Sequence, residues 1–235
     1  MLQQTSGIVI HSIKYSESSL ILKIYTEAFG LQSYMINGVR SGNKKAKNKI
    51  ALYQPLALLD LVVYHKPNKS QIFRIQEAKP LYPYQSIPFE MKKTGIAFFL
   101  TELLYKTLRE ESPQAPLFRF LKDSLVAFDE ATVHYEYFHL FFLLKLPRFL
   151  GFGVENLQEL IEELSPFRKL LCPEDILQEL VQAFEVCIHA QWPAPLVLSV
   201  EARRTLLDYT LDLYALHIPN WSEVKSLQVL RAMMG

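Results

Sequence analysis

Apolar and polar residues alternate with a period of two over much of the first third of the chain, and recur with a period near 3.6 over most of the remainder. Ile8, Val9, Ile10 and Ile13 form a first strand-like run, Leu20, Ile21, Leu22, Ile24 and Tyr25 a second, and Leu31 to Val39 a third. Turn-forming residues separate them: Tyr15-Ser16-Glu17-Ser18-Ser19, then Gly30, with Gly38 as a bend or bulge in the third run. Ala57 to Tyr64 and Gln71 to Ala78 supply a fourth and a fifth run. His65-Lys66-Pro67-Asn68-Lys69-Ser70 joins them, with the proline, asparagine and lysines of an exposed hairpin loop. Five short strands in about eighty residues is the count of an OB-fold, although the periodicity alone fits another small barrel as well.

At Lys79-Pro80-Leu81-Tyr82-Pro83-Tyr84 the texture changes, because prolines cannot continue a ladder. Ile96, Phe99, Leu100, Leu103, Leu104 and Leu108 then line one face of a helix predicted from about Pro88 to Glu110. Further helices are predicted over 116–130, 134–150, 155–164, 174–190, 199–217 and 222–233, with Ser199 and Ser222 as N-caps. The expected fold class is α+β multidomain: an N-terminal OB-fold β-barrel over 1–80 and an all-α helical domain over 81–235. The most apolar run, Phe138 to Val154, is interrupted by Lys145, Pro147 and Arg148 and is shorter than a membrane span, so it reads as a buried helix and no membrane association is expected.

Composition adds one fact that the pattern does not. The 235 residues are 50% hydrophobic and 21% charged, with a net charge of +1, but residues 1–80 carry 11 basic and 4 acidic side chains against 14 and 20 in the rest. A nucleic-acid footprint is therefore expected in the N-terminal third. No acidic residue lies between Ala28 and Leu59, a span that contains Arg40, Lys44, Lys45, Lys47 and Lys49. Two readings of this loop stand side by side, a clamp for phosphates and a merely solvated loop. The charge split and the strand count favour the clamp. Lys14, Lys23, Lys66, Lys69 and Arg74 extend the basic track, with Lys23 and Arg74 on the polar faces of their strands. Tyr25, Tyr34 and Phe73 are the strand aromatics on which bases could stack; core burial is the commoner fate of such residues, and Tyr34, alternating with Ser33 and Met35, is the preferred stacking candidate.

Other chemistries find little support. Cys172 and Cys187 lie fifteen apart, with no C-x-x-C and no paired histidine, so no metal and no cofactor are expected. His134 and His139, five apart, would point about 140° away from each other on a helix, and read as surface or core-edge residues. Gly151-Phe152-Gly153 follows a helix and lacks a third glycine; no P-loop and no nucleophile elbow occurs. No catalytic residue is assigned and the chain reads as a non-enzyme. Two cysteines and a polar Met1 to Gly7 suit a reduced, cytoplasmic setting.

The segments I-V-I-H-S (Ile8 to Ser12), S-E-S-S-L (Ser16 to Leu20), T-E-A-F-G (Thr26 to Gly30) and G-V-R-S-G (Gly38 to Gly42) resemble, in order and spacing, the N-terminal domain of the RecO family of bacterial recombination mediators. R-F-L-G-F-G (Arg148 to Gly153) and V-K-S-L-Q-V-L (Val224 to Leu230) resemble its helical domain. The resemblance implies binding of single- and double-stranded DNA, annealing of complementary strands, and help to RecR in loading recombinase onto DNA coated with single-stranded-DNA-binding protein. It implies too that the helical domain receives the acidic, aromatic-ending tail of that protein, for which Lys145 and Arg148 are the nearby cations. Many family members carry a four-cysteine zinc motif after the glycine segment; this chain has only Cys172 there and departs from the pattern. The competing class is a non-catalytic protein-interaction scaffold whose OB domain docks a protein partner.

Overall fold

A computed structural model of the chain describes residues 1–15, 17–38, 50–65, 72–109, 112–168 and 172–234. The strands are β1 (Leu2–Lys14), β2 (Leu20–Thr26), β3 (Gly30–Ile36), β4 (Leu58–Tyr64) and β5 (Phe73–Tyr82). They close into a barrel in the order β1-β2-β3-β5-β4. All contacts are antiparallel except β3 with β5, which run parallel and pair only at Tyr34 with Phe73 and at Met35 with Arg74. Such a Greek-key barrel with one thin seam is the OB arrangement that the strand count suggests.

The alternation along β2 and β3 shows why these residues close on themselves. Leu22, Ile24, Tyr34 and Ile36 turn inward to meet Val9, Leu59, Leu61, Val63 and Phe73, while Ile21, Lys23, Ser33 and Met35 face outward. Gly7 permits the close approach of its neighbours, since a Cβ there would sit 2.7 Å from Ile24 and 2.8 Å from Leu61. Leu56, fully buried, adopts φ +62°, a costly conformation for a branched residue. Its amide donates to the Val9 carbonyl at 2.8 Å, and its carbonyl accepts the Tyr84 hydroxyl at 2.8 Å.

Seven helices follow among the described residues: α1 (Met91–Thr107), α2 (Ala115–Glu130), α3 (Phe138–Leu150, entered through a 3-10 turn at Tyr135–Tyr137), α4 (Leu157–Leu164), α5 (Glu174–His189), α6 (Val200–His217) and α7 (Ser226–Met234). Ser199 caps α6 as expected, accepting from the Ala202 amide at 3.1 Å. Ser222 does not cap α7, which begins four residues later at Ser226. None of the described helices is long and apolar enough to cross a membrane.

The strands end at Tyr82, near the expected 80/81 boundary, but compactness divides the chain into Met1–Asp129 and Glu130–Gly235, so α1 and most of α2 belong with the barrel. A buried carboxylate accounts for part of this. Asp129, at the end of α2, accepts the amides of Gln85, Ser86 and Ile87 at 2.7, 2.9 and 2.8 Å, and the hydroxyls of Ser86 and Tyr82. Lys93 of α1, only 1% exposed, donates to the Ser86 hydroxyl at 2.6 Å and to the Asp129 carbonyl at 3.0 Å. Burial pushes the Asp129 carboxyl up, but the three amides more than offset it and hold the group below its usual range.

In the second unit, α3 is apolar nearly all round and is buried as expected, with Phe138 and Phe141 packing on Trp192. His139 lies within this core, 1% exposed, and not at its edge. Burial, and then the positive charge of Arg203, lower its pKa to about 3.

Candidate nucleic-acid interface

The register of the barrel places outward side chains in rows. One row runs Leu2, Tyr64, Arg74, Met35, Ile21 and Ile13, each residue the direct cross-strand partner of the next, and circles the barrel wall. Arg74 is exposed within it, between Met35 and the 46% exposed Tyr64. Lys23 emerges on the same outer face, opposite Ser33 and two positions from Ile21. Neither Lys23 nor Arg74 forms an ion pair with a described residue, whereas Lys79 is engaged by Asp60 at 3.1 Å. The structure thus places two of the expected phosphate-binding residues on the outer face of the barrel, neither in an ion pair with a described residue.

The other five, Arg40, Lys44, Lys45, Lys47 and Lys49, fall outside the described residues, as do Lys66 and Lys69. The described chain on both sides of that basic segment is well placed. It leaves β3 through Asn37 and returns at Leu52 and Tyr53, and all three residues line one cavity beside Arg74.

Tyr34 is a correction. It is fully buried, its ring 6.1 Å from that of Phe73 inside the barrel, and burial raises its hydroxyl pKa. It cannot serve as an exposed stacking platform, because β3 turns Gln32, Tyr34 and Ile36 inward and Ser33 and Met35 outward. Tyr25 and Phe73 are core residues as well. The exposed aromatics of the barrel are Tyr64 and Tyr15, which sequence reasoning passed over. Tyr64 was legible in part: it closes the fourth strand-like run, just before Lys66 and Lys69 in the sequence.

In the second unit Lys145 donates to the Ala190 carbonyl at 2.6 Å and Arg148 pairs with Glu155 at 2.7 Å, so both cations expected to await an acidic tail already have partners. Cys172 and Cys187 are free thiols, and among the described residues no group of three or more His, Cys, Asp or Glu is arranged to hold a metal.

A closed five-stranded barrel in OB order with a helical continuation defines the class of OB-fold protein with an appended helical region. Residues 1–84 match the family model for the N-terminal part of recombination protein O, and residues 88–156 the model for its C-terminal part. The chain belongs to the RecO family. It is 34% identical over 249 aligned residues, covering all of both chains, to the DNA repair protein RecO of Phocaeicola vulgatus. It is 32% identical over 241 residues, 99% of each chain, to that of Flavobacterium psychrophilum. The RecO protein of Bacteroides fragilis is 46% identical over 151 residues, a match that spans 64% of this chain and 61% of that protein.

Proposed function

We propose that this chain is a non-catalytic mediator of DNA repair and recombination, acting in the cytoplasm. It binds single- and double-stranded DNA through the barrel, anneals complementary strands, and helps RecR load recombinase onto DNA coated with single-stranded-DNA-binding protein, whose tail it receives on the helical unit. Family membership supports the repair and recombination role. The observation that carries the DNA reading is the exposed Arg74 and the half-buried Lys23 on one barrel face, neither in an ion pair with a described residue, with Arg74 beside the residues that flank the segment holding Arg40, Lys44, Lys45, Lys47 and Lys49.

Annealing needs no bond-making chemistry. A cationic face that neutralises two phosphate backbones reduces their repulsion and releases condensed counterions, and base pairing supplies the driving force. Tyr64, beside Arg74, offers the ring that Tyr34 does not.

A second reading, a scaffold whose barrel docks a protein, draws on an apolar cavity of about 480 Å³ lined by Leu58, Pro80, Tyr82, Tyr84, Ile87 and Phe98. Fluorescence-anisotropy titration of a single-stranded oligonucleotide at several salt concentrations separates the two. The expected result is steep salt dependence, with a slope that falls by about 3 when Lys44, Lys45, Lys47 and Lys49 become alanine, at roughly 0.7 per single-strand phosphate contact. Absence of binding even at low salt leaves the scaffold reading.

A further inference from the structure

The seam between β3 and β5 carries chemistry that phosphate binding does not use. After Met35 and Arg74 the two strands part: β3 ends at Ile36 and the chain leaves it through Asn37, while β5 follows β4. Between them lies a cavity of about 530 Å³, a size suited to a small ligand. Leu52, Tyr53 and Ile75 give it apolar surface, and Asn37, Gln76 and Glu77 polar groups.

A bulge sits on its wall. Ile75 pairs with Val63 and Glu77 with Val62, leaving Gln76 as an extra residue without a partner on β4. Consecutive strand residues normally point to opposite faces, yet Gln76 and Glu77 are both exposed where the register shifts, which is the re-aiming that a bulge produces. Both are exposed, and neither side chain makes a hydrogen bond or ion pair with a described residue.

We propose that this cleft is a subsite for one unpaired nucleobase that bears an exocyclic amino group, cytosine or adenine in preference to thymine; the proposal rests on the DNA-binding reading above. An ionised glutamate only accepts hydrogen bonds, whereas a glutamine both donates and accepts. The Watson–Crick edge of cytosine offers an amino donor beside a ring-nitrogen acceptor, and that of adenine does the same. Glu77 receives the amino group and the Gln76 amide donates to the ring nitrogen. Thymine places a carbonyl oxygen where the amino group would stand, facing the carboxylate, and loses that bond. The base faces meet Tyr53, Leu52 and Ile75, and Arg74 at the rim holds the adjoining phosphate. Because a duplex occupies its own Watson–Crick edges, the subsite engages single strands only.

The test uses the full chain and three labelled oligonucleotides of equal length: oligo-dC, oligo-dT and an abasic deoxyribose-phosphate strand. Intact protein is expected to bind oligo-dC about tenfold more tightly than oligo-dT, the discrimination of a good bidentate contact. Glu77→Gln, a conservative change at an exposed position, brings that ratio close to one with the salt slope unchanged; Gln76→Ala weakens oligo-dC severalfold and leaves the abasic strand as before. Equal affinity of the intact chain for oligo-dC and oligo-dT, or a ratio unaltered by Glu77→Gln, overturns the subsite while the phosphate clamp stands. No salt-dependent binding to any of the three strands overturns both.

Discussion

Lys93 and Arg74 belong to the same compact unit and carry the same charge, yet they do opposite things. Lys93 is sealed within the unit, where the Ser86 hydroxyl and the Asp129 carbonyl accept its hydrogen bonds, while the Asp129 carboxylate gathers three consecutive amides of the connecting segment. Arg74 stands on the barrel wall with no acidic partner among the described residues. The Asp129 cluster consumes its charge to fix the path of the chain, whereas Arg74 on the outer face carries a charge that no described residue neutralises. The difference shows that a count of basic residues overstates the charge a ligand meets, since Lys79 and Lys93 are both engaged within the unit.

The sharpest way to break this comparison is Asp129→Ala. Removing the carboxylate leaves the amides of Gln85, Ser86 and Ile87 without their acceptor, while Lys93 keeps the Asp129 carbonyl and the Ser86 hydroxyl, and at about 1–3 kcal/mol for each buried donor left unsatisfied a loss of several kcal/mol is expected in denaturant unfolding. DNA binding by the folded fraction should retain its salt slope; a reduced slope would mean that the cluster reaches the ligand. Next in size, Tyr64→Ala should weaken binding to a single-stranded oligonucleotide by about 1–3 kcal/mol and leave an abasic strand untouched, as expected for one lost stacking contact.

His139 tests the buried side of the comparison by pH. Its folded pKa of about 3 lies below the ordinary 6.5, so the unfolded chain binds the extra proton. The stability it contributes is complete above about pH 6.5 and is lost as the pH falls from there toward 3. The slope reaches about 1.4 kcal/mol per pH unit for one such group. His139→Phe should flatten the acid limb of a stability curve measured by thermal or urea unfolding. The smallest effect is Arg74→Ala, which should lower the salt slope of single-strand binding by about 0.7, one phosphate contact, with no loss of stability.

Much of the fold was legible because it is written in local periods. Among the described residues, the five strands and the seven helices that follow them fall where alternation and the 3.6 period place them, with ends shifted by a few residues. Facing was harder. Along G-L-Q-S-Y-M-I each of the two alternating sets mixes polar with apolar residues, so the pattern groups Gln32 with Tyr34 and Ser33 with Met35 without telling which pair enters the barrel. Tertiary packing decides it: the Gln32 amide is satisfied by the Phe29 carbonyl at 2.7 Å, which lets a polar residue accompany Tyr34 inward. The Asp129 cluster joins groups 36 to 47 residues from it in sequence, and no local pattern announces such a bond. The Gln76 bulge is likewise invisible in sequence, because it exists only in the register of β5 against β4.

The two-pair seam between β3 and β5 also bears on how the barrel is assembled. The pairs β1 with β2 and β2 with β3 join chain neighbours across short turns and form as hairpins, whereas the seam joins residue 34 to residue 73 and gains only two pairings for that closure. In kinetic terms its long closure and two pairings lead us to expect the last hoop fastened and the first to slip. In hydrogen exchange, amides flanking Met35 and Arg74 should trade with solvent sooner than those of the β1–β2 ladder. A gap of this kind can widen to admit a guest while the long antiparallel ladders stay zipped.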